Sequence, residues 1–165
     1  MKNILLVSPN SLDEQAREFF LSPPLGVVRL AGYLNLHGHY AEYVDGNILR
    51  VTNRRKDFED KLLEKSWDII GFSILEETII EDIRLIHHCH KIHPNALLVS
   101  GGIEAQFNYQ NVLDKTPCKI VIISEGEKSL LALANGTEID NIPGIVFKNS
   151  SVPLDQHTFD FATSA

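Results

Sequence analysis

With 165 residues, 44% of them hydrophobic and 22% charged, the chain has the size of one domain and the composition of an ordinary globular protein. A formal charge of -7 speaks against a nucleic-acid partner, because phosphate contacts need a basic face. No stretch approaches the roughly 20 apolar residues of a membrane span, so no membrane partner is expected.

The first apolar run, NILLVS from Asn3, stops too early for a signal peptide and reads as a first strand. Further strands are expected at 40–45, 68–73, 96–101, 119–124 and 144–148. The first, third, fourth and fifth runs are continuously apolar, as in parallel strands covered on both faces. The second alternates more, which suits a place near an edge.

Helical patterns fall between these runs. Pro24 suits a first helical turn, after which Val27, Leu30, Ala31 and Leu34 share one face and Gly38 makes a C-terminal stop. The basic run NRRK from Asn53 reads as a solvated loop, followed by a polar helix over 57–65. Ile79, Ile83 and Ile86 recur along a third helix that must end near Pro94. Residues 107–113 make a short fourth helix, and 127–136 a fifth, closed by Gly136. Ser-x-x-Glu patterns predict capping boxes at Ser11–Glu14, Thr78–Glu81 and Ser124–Glu127.

Strand–helix alternation of this kind predicts an α/β domain with right-handed crossovers. The expected architecture is a flavodoxin-like (Rossmann-like), doubly wound, parallel five-stranded sheet of order 2-1-3-4-5, with a short additional C-terminal strand. Residues 1–150 form the domain, and 151–165 a tail or the start of a linker.

Ligands of such sheets sit beyond the carboxyl ends of the strands, at the switch point between strands one and three. The loops that meet there are SILEET after strand three, GGIEA after strand four, SEGE after strand five, and the long segment after strand one. Each is richer in Gly, Ser, Glu or Pro than packing requires. Gly101 and Gly102 either let backbone approach a ligand or simply make a strand-to-helix turn.

Several familiar occupants are excluded. The segment after strand one lacks Gly-x-Gly-x-x-Gly, so Asp45 reads as a turn former beside Gly46, not as a dinucleotide ligand. Walker-type and flavodoxin-type phosphate loops are missing too, and strand three ends in Ser73 where a receiver domain needs Asp. His87, His88, His90 and His93 do not converge on a metal site with other ligands. Cys89 and Cys118 stand in no metal-type spacing and form no disulfide framework, which fits a cytoplasmic protein.

Five segments, in order, resemble the N-terminal cobalamin-binding domain of cobalamin-dependent radical SAM enzymes. They are PPLGVVRLAGYLNLHGH from Pro23, VDGN from Val44, DIIGFSIL from Asp68, LLVSGGIEA from Leu97 and IVIISEGEKSLLAL from Ile120. A Gly-containing strand, IPGIVFKNSS from Ile142, is similar to the family's closing strand, and together these pieces span nearly the whole chain. The resemblance implies cobalamin as cofactor, its nucleotide tail in a slot at the switch point and its corrin ring on an apolar platform above. It implies that Ser73, Leu75 and Thr78 line the tail or ring edge. Gly101, Gly102 and Ile103 would approach the tail, Glu125, Gly126 and Glu127 border it, and Pro24, Leu25 and Gly26 lie near the corrin. A bulky side chain at Gly102 is then expected to block uptake and spare the fold.

This sequence departs from the family pattern at Ile103-Glu104, where Pro-His is common, and at Ser124, where Gly is. The methionine-synthase type of domain also carries Asp-x-His-x-x-Gly after strand one, and no His occurs between Ser8 and Leu25 here. Asp155-Gln156-His157 copies half of that motif in the tail. The resemblance thus implies base-off cobalamin with no histidine from this chain on cobalt.

Two cysteines cannot build the Cys-x-x-x-Cys-x-x-Cys site of a four-iron four-sulfur cluster. That cluster and S-adenosylmethionine are therefore expected on a radical SAM domain, in the same or another chain, and no catalytic residue is assigned to this one. Methyl transfer is the reaction the resemblance implies for such an enzyme. Alternatives are a free-standing cobalamin carrier or sensor, or a cofactor-free flavodoxin-like interaction module.

Overall fold

The computed structural model describes residues 1–8, 23–52 and 54–148. Six strands, β1 (Asn3–Ser8), β2 (Tyr40–Asp45), β3 (Ile69–Ser73), β4 (Leu97–Gly101), β5 (Ile120–Ile122) and β6 (Ile145–Phe147), form one sheet of order β2-β1-β3-β4-β5-β6. The first five are parallel and β6 pairs antiparallel with β5. The expected order, the edge position of β2 and the extra terminal strand are all present.

Among the described residues, the connecting helices are α1 (Leu25–Leu36), α2 (Gly46–Val51), α3 (Arg55–Leu63), α4 (Ile79–Ile92), α5 (Ile103–Phe107), α6 (Tyr109–Lys115) and α7 (Gly126–Ala134). Alternating strand residues feed two separate cores. Leu5, Val7, Ile70, Phe72 and Leu98 pack under the α2–α6 side with Leu62, Ile86 and Val112. Ile4, Leu6, Ile69, Val99 and Ile122 pack under α1 and α7 with Val27, Leu34 and Leu130. The exposed edge at β2 is covered in part by Lys61 and Lys65, which both reach Glu42.

Three local expectations change. The basic run is no loop throughout, since Arg55 and Lys56 open α3. Between β2 and α3 stands α2, whose Gly-Asn start hides it from periodicity; Asp45 Oδ1 accepts the Asn47 and Ile48 N–H groups and so caps it. The expected fourth helix is two, α5 and α6, meeting at Asn108.

The capping boxes also fail where they are described. A 3-10 turn, Glu76–Thr78, runs straight into α4, so Thr78 has helical backbone already and cannot cap with its side chain. Its hydroxyl donates instead to Asp82 Oδ2 at 2.7 Å and to the Leu75 carbonyl. The N-cap of α7 is Glu125; Ser124 turns toward the Gly144 carbonyl, and Glu127 pairs with Arg29. Ser11–Glu14 lies outside the described residues.

Candidate functional site

Parallel pairing brings the carboxyl ends of the strands to one edge, with Ser8 beside Asp45 and Ser73 beside Gly101. Beneath that edge, between the sheet and the α1 and α7 helices, lies a cavity of about 160 Å³. Its floor and walls are Leu6, Val99 and Ile122 from the sheet and Val27, Leu30 and Leu130 from the helices; Gly26, Gly71, Ser73, Gly101, Gly102, Ser124 and Gly126 also line it. Dry cavities near this volume accept an aromatic ring.

Glycines make the space. A Cβ on Gly71 would stand 2.8 Å from Leu6 Cδ2, so any side chain there would fill the floor. A Cβ on Gly126 would meet Leu30 Cδ2 at 3.1 Å, whereas one on Gly26 meets nothing within 4 Å. Gly102 works differently. Its φ of +91° and ψ of 172° belong to a region essentially restricted to glycine, and a Cβ would sit 2.7 Å from the Ile74 carbonyl oxygen. A bulky residue at Gly102 therefore strikes backbone, and the expectation that it would spare the fold is corrected.

Of the residues singled out in the sequence, the slot gathers Gly26, Ser73, Gly101, Gly102 and Gly126. Ser73 shares a sheet face with Gly71, and its hydroxyl has no hydrogen-bond partner among the described residues. Leu25 and Ile103 stand at the rim, 71% and 60% exposed, with Leu75 less so and Pro24 half-buried. Thr78 is buried against Asp82 rather than facing the slot. Glu125 and Glu127 both reach the Arg29 guanidinium of α1, strapping the start of α7 to α1 beside the slot. The sequence does not single out Leu6, Val27, Leu30, Gly71, Phe72, Val99, Ser100, Ile122, Ser124 and Leu130 as lining residues. The one signal that could have flagged them is Gly71, a glycine inside an otherwise unbroken buried strand.

Asp82 and Ser100 are among the buried polar residues. The Asp82 carboxyl accepts from Thr78 and from the Leu75 N–H; burial pushes it up to about 7 against those two hydrogen bonds, with nearby Glu81 adding to the rise. The Ser100 Oγ is buried without a partner of normal geometry. It lies on the opposite sheet face with Leu98, toward the Cys118 thiol. Both cysteines are free, and burial pushes Cys89 up to about 12 and Cys118 up to about 11, so neither is a thiolate nucleophile.

Histidines stay away from the slot. His39 meets the Lys2 N–H and Asn135 at the amino edge of the sheet, while His87 meets the Lys115 carbonyl, His88 meets Glu59 and His93 the Leu62 carbonyl. Among the described residues no histidine lines the cavity, and none form a cluster of three or more His, Cys, Asp or Glu able to bind a metal. His157 lies outside the described residues.

Residues 19–134 match the family model for the B12-binding domain. The chain belongs to that family. Among curated proteins, this B12-binding domain is similar to the anaerobic magnesium-protoporphyrin IX monomethyl ester cyclases of Cereibacter sphaeroides and Rubrivivax gelatinosus. It is 30% identical to the first over 141 residues and 26% identical to the second over 136, covering 84% and 82% of the chain. The chain spans only 22% and 24% of the length of those two relatives.

Solved structures share the fold. One is the radical S-adenosylmethionine methyltransferase TsrM from Kitasatospora setae, with a TM-score of 0.73 and 20% identity over 92% of this chain and 29% of that one. Another is the cobalamin-dependent S-adenosylmethionine radical enzyme OxsB with aqua-cobalamin bound, with a TM-score of 0.68 and 20% identity over 92% and 21%.

The slot has features that a B12 cofactor would use. A flat heterocycle needs a narrow, apolar cleft with backbone close by, which the glycines leave open. A corrin ring needs an apolar platform, and Leu25, Leu75 and Ile103, in the segments that carry Gly26, Ser73 and Gly102, are exposed apolar side chains. The free Ser73 hydroxyl offers a hydrogen bond at the slot itself.

Proposed function

We propose that this B12-binding domain is the cofactor-binding portion of a cobalamin-dependent radical SAM enzyme. The observation that carries the reading is the glycine-cleared apolar slot at the switch point of a chain in this family. In that reading Gly71, Gly101 and Gly102 let backbone approach the nucleotide base. Ser73 donates a hydrogen bond to its free ring nitrogen, and the rim residues Leu25, Leu75 and Ile103 support the corrin. Thr78 acts indirectly, by fixing the turn that carries Leu75. Arg29 acts the same way, by tying Glu125 and Glu127 to α1 beside the opening.

With the base in the slot and no imidazole lining it, cobalamin binds base-off and receives no histidine from the described residues. Bound cobalamin would supply cobalt able to carry a methyl group. This chain's own residues bind, orient and shield it, and the radical step belongs to a domain holding the four-iron four-sulfur cluster and S-adenosylmethionine. The likeness to TsrM and OxsB, both S-adenosylmethionine radical enzymes several times longer than this chain, supports this division. The cyclase relatives leave room for a reaction other than methyl transfer. A free-standing carrier would use the same slot; the sequence that follows residue 165 in the gene distinguishes the two.

Titration of the protein with hydroxocobalamin, followed by visible absorbance, tests the reading. Binding with a shift toward the base-off spectrum is expected. No uptake at sub-millimolar cofactor, by protein with a cooperative unfolding transition, overturns it.

A further inference from the structure

Among the described residues, the slot is not only narrow but almost without polar side chains. Leu6, Val27, Leu30, Val99, Ile122 and Leu130 supply its side-chain surface. Of the three serines that line it, Ser100 points its hydroxyl to the other face of the sheet. The Ser124 hydroxyl is engaged with the carbonyls of Glu125 and Gly144 and with Ser129. Nearby backbone is used as well, since the Gly101 carbonyl accepts from the Ile74 N–H and the Gly144 carbonyl from the Ile123 N–H. Among the described residues that leaves one side-chain hydroxyl, Ser73, to meet whatever polar atoms a base brings.

We infer that the slot selects among cobamides by the polarity of the lower base, taking benzimidazole or phenol forms over purine forms. This deepens the proposed function and rests on it. A benzimidazole joined through one ring nitrogen brings a single acceptor and an otherwise apolar rim, which one hydroxyl and six aliphatic side chains satisfy. An adenine joined in the same way brings an amino group and three ring nitrogens of similar bulk. Most of those would leave water without a partner, and each unpaired group weakens binding. A site of this kind discriminates by about ten- to a hundredfold rather than absolutely, because an apolar pocket excludes a polar isostere only by desolvation.

Equilibrium dialysis of the chain against four corrinoids tests this: hydroxocobalamin, the p-cresol cobamide, the adenine cobamide and cobinamide, which lacks the base. The expected result is similar affinity for the first two and affinity at least about tenfold lower for the adenine form, with cobinamide also weaker than cobalamin. Equal affinity for adenine and benzimidazole forms, with cobinamide weak, overturns the selection and leaves the base in the slot. If cobinamide binds as well as cobalamin, or the p-cresol form binds as poorly as cobinamide, apolar base burial is not the source of affinity and the inference falls. If none binds, the proposed function itself falls. Val99→Thr places a hydroxyl on the slot floor and should narrow the benzimidazole-to-adenine ratio several-fold. An unchanged ratio in a variant with a normal unfolding midpoint also counts against the inference.

Discussion

Asp82 carries much of the local order near the site, because its buried carboxyl receives both the Thr78 hydroxyl and the Leu75 N–H. Burial holds its protons up to about 7, well above an unfolded aspartate near 3.8. Between those values the native state binds a proton that the unfolded chain has lost, so stability falls as pH rises from about 4 to 7 and stays reduced above. Asp82→Asn keeps an acceptor for Thr78 and removes the ionisation. It should leave stability near pH 4 unchanged and raise it at pH 8 by up to about 4 kcal/mol, taking three units at 1.36 kcal/mol each as an upper bound. Urea unfolding at the two pH values measures this, and an equal effect at both would refute it. Gly102→Leu should cost at least about 2 kcal/mol, from the glycine-only backbone region alone, with the Ile74 carbonyl in the way besides. A wild-type unfolding midpoint for that variant would contradict the geometry. At this scale the sequence was a partial guide. The pair Gly101-Gly102 could be read as a close approach, but not that both line the slot while a Cβ on Gly102 would strike the Ile74 carbonyl. Ser-x-x-Glu spacing could not reveal that a 3-10 turn displaces the cap at Thr78 and hands the work to Asp82.

The α1–α7 seam, with the sheet below it, is the element on which the proposed binding depends. Leu30 lies over Gly126, and Arg29 bridges to Glu125 and Glu127. The guanidinium is 68% exposed, so the bridge contributes little to stability, on the order of 1 kcal/mol or less. Gly26 gives a cleaner probe of the slot than Gly102 does. A side chain there starts in open space, on a helix where leucine is favoured over glycine by somewhat under 1 kcal/mol. Gly26→Leu should therefore fold at least as well as the natural chain and lose cobalamin affinity by more than about tenfold. Unchanged affinity in dialysis would place the slot's opening elsewhere. Apolar runs revealed each described strand to within two residues, continuous for β1, β3, β4 and β5, which are buried on both faces, and alternating for the edge strand β2. Helix α2 was hidden because six residues beginning Gly-Asn carry no full period, and the Asp45 cap looked like a turn.

Across the whole molecule, the strand order follows from chain alternation and crossover handedness, and both were legible. What could not be read was which of the two sheet faces opens into a slot. That depends on Gly71 and on how Leu30 and Leu130 pack over it, contacts that join residues from all parts of the chain. The same arrangement places every described histidine outside the cavity, and this is the basis for a cobalt with no imidazole beneath it. Electron paramagnetic resonance of the chain loaded with cob(II)alamin tests that claim most directly. An axial cobalt signal without nitrogen splitting is expected from the proposed arrangement, with the base in the slot and no histidine replacing it. A three-line nitrogen splitting on the protein-bound signal would contradict it.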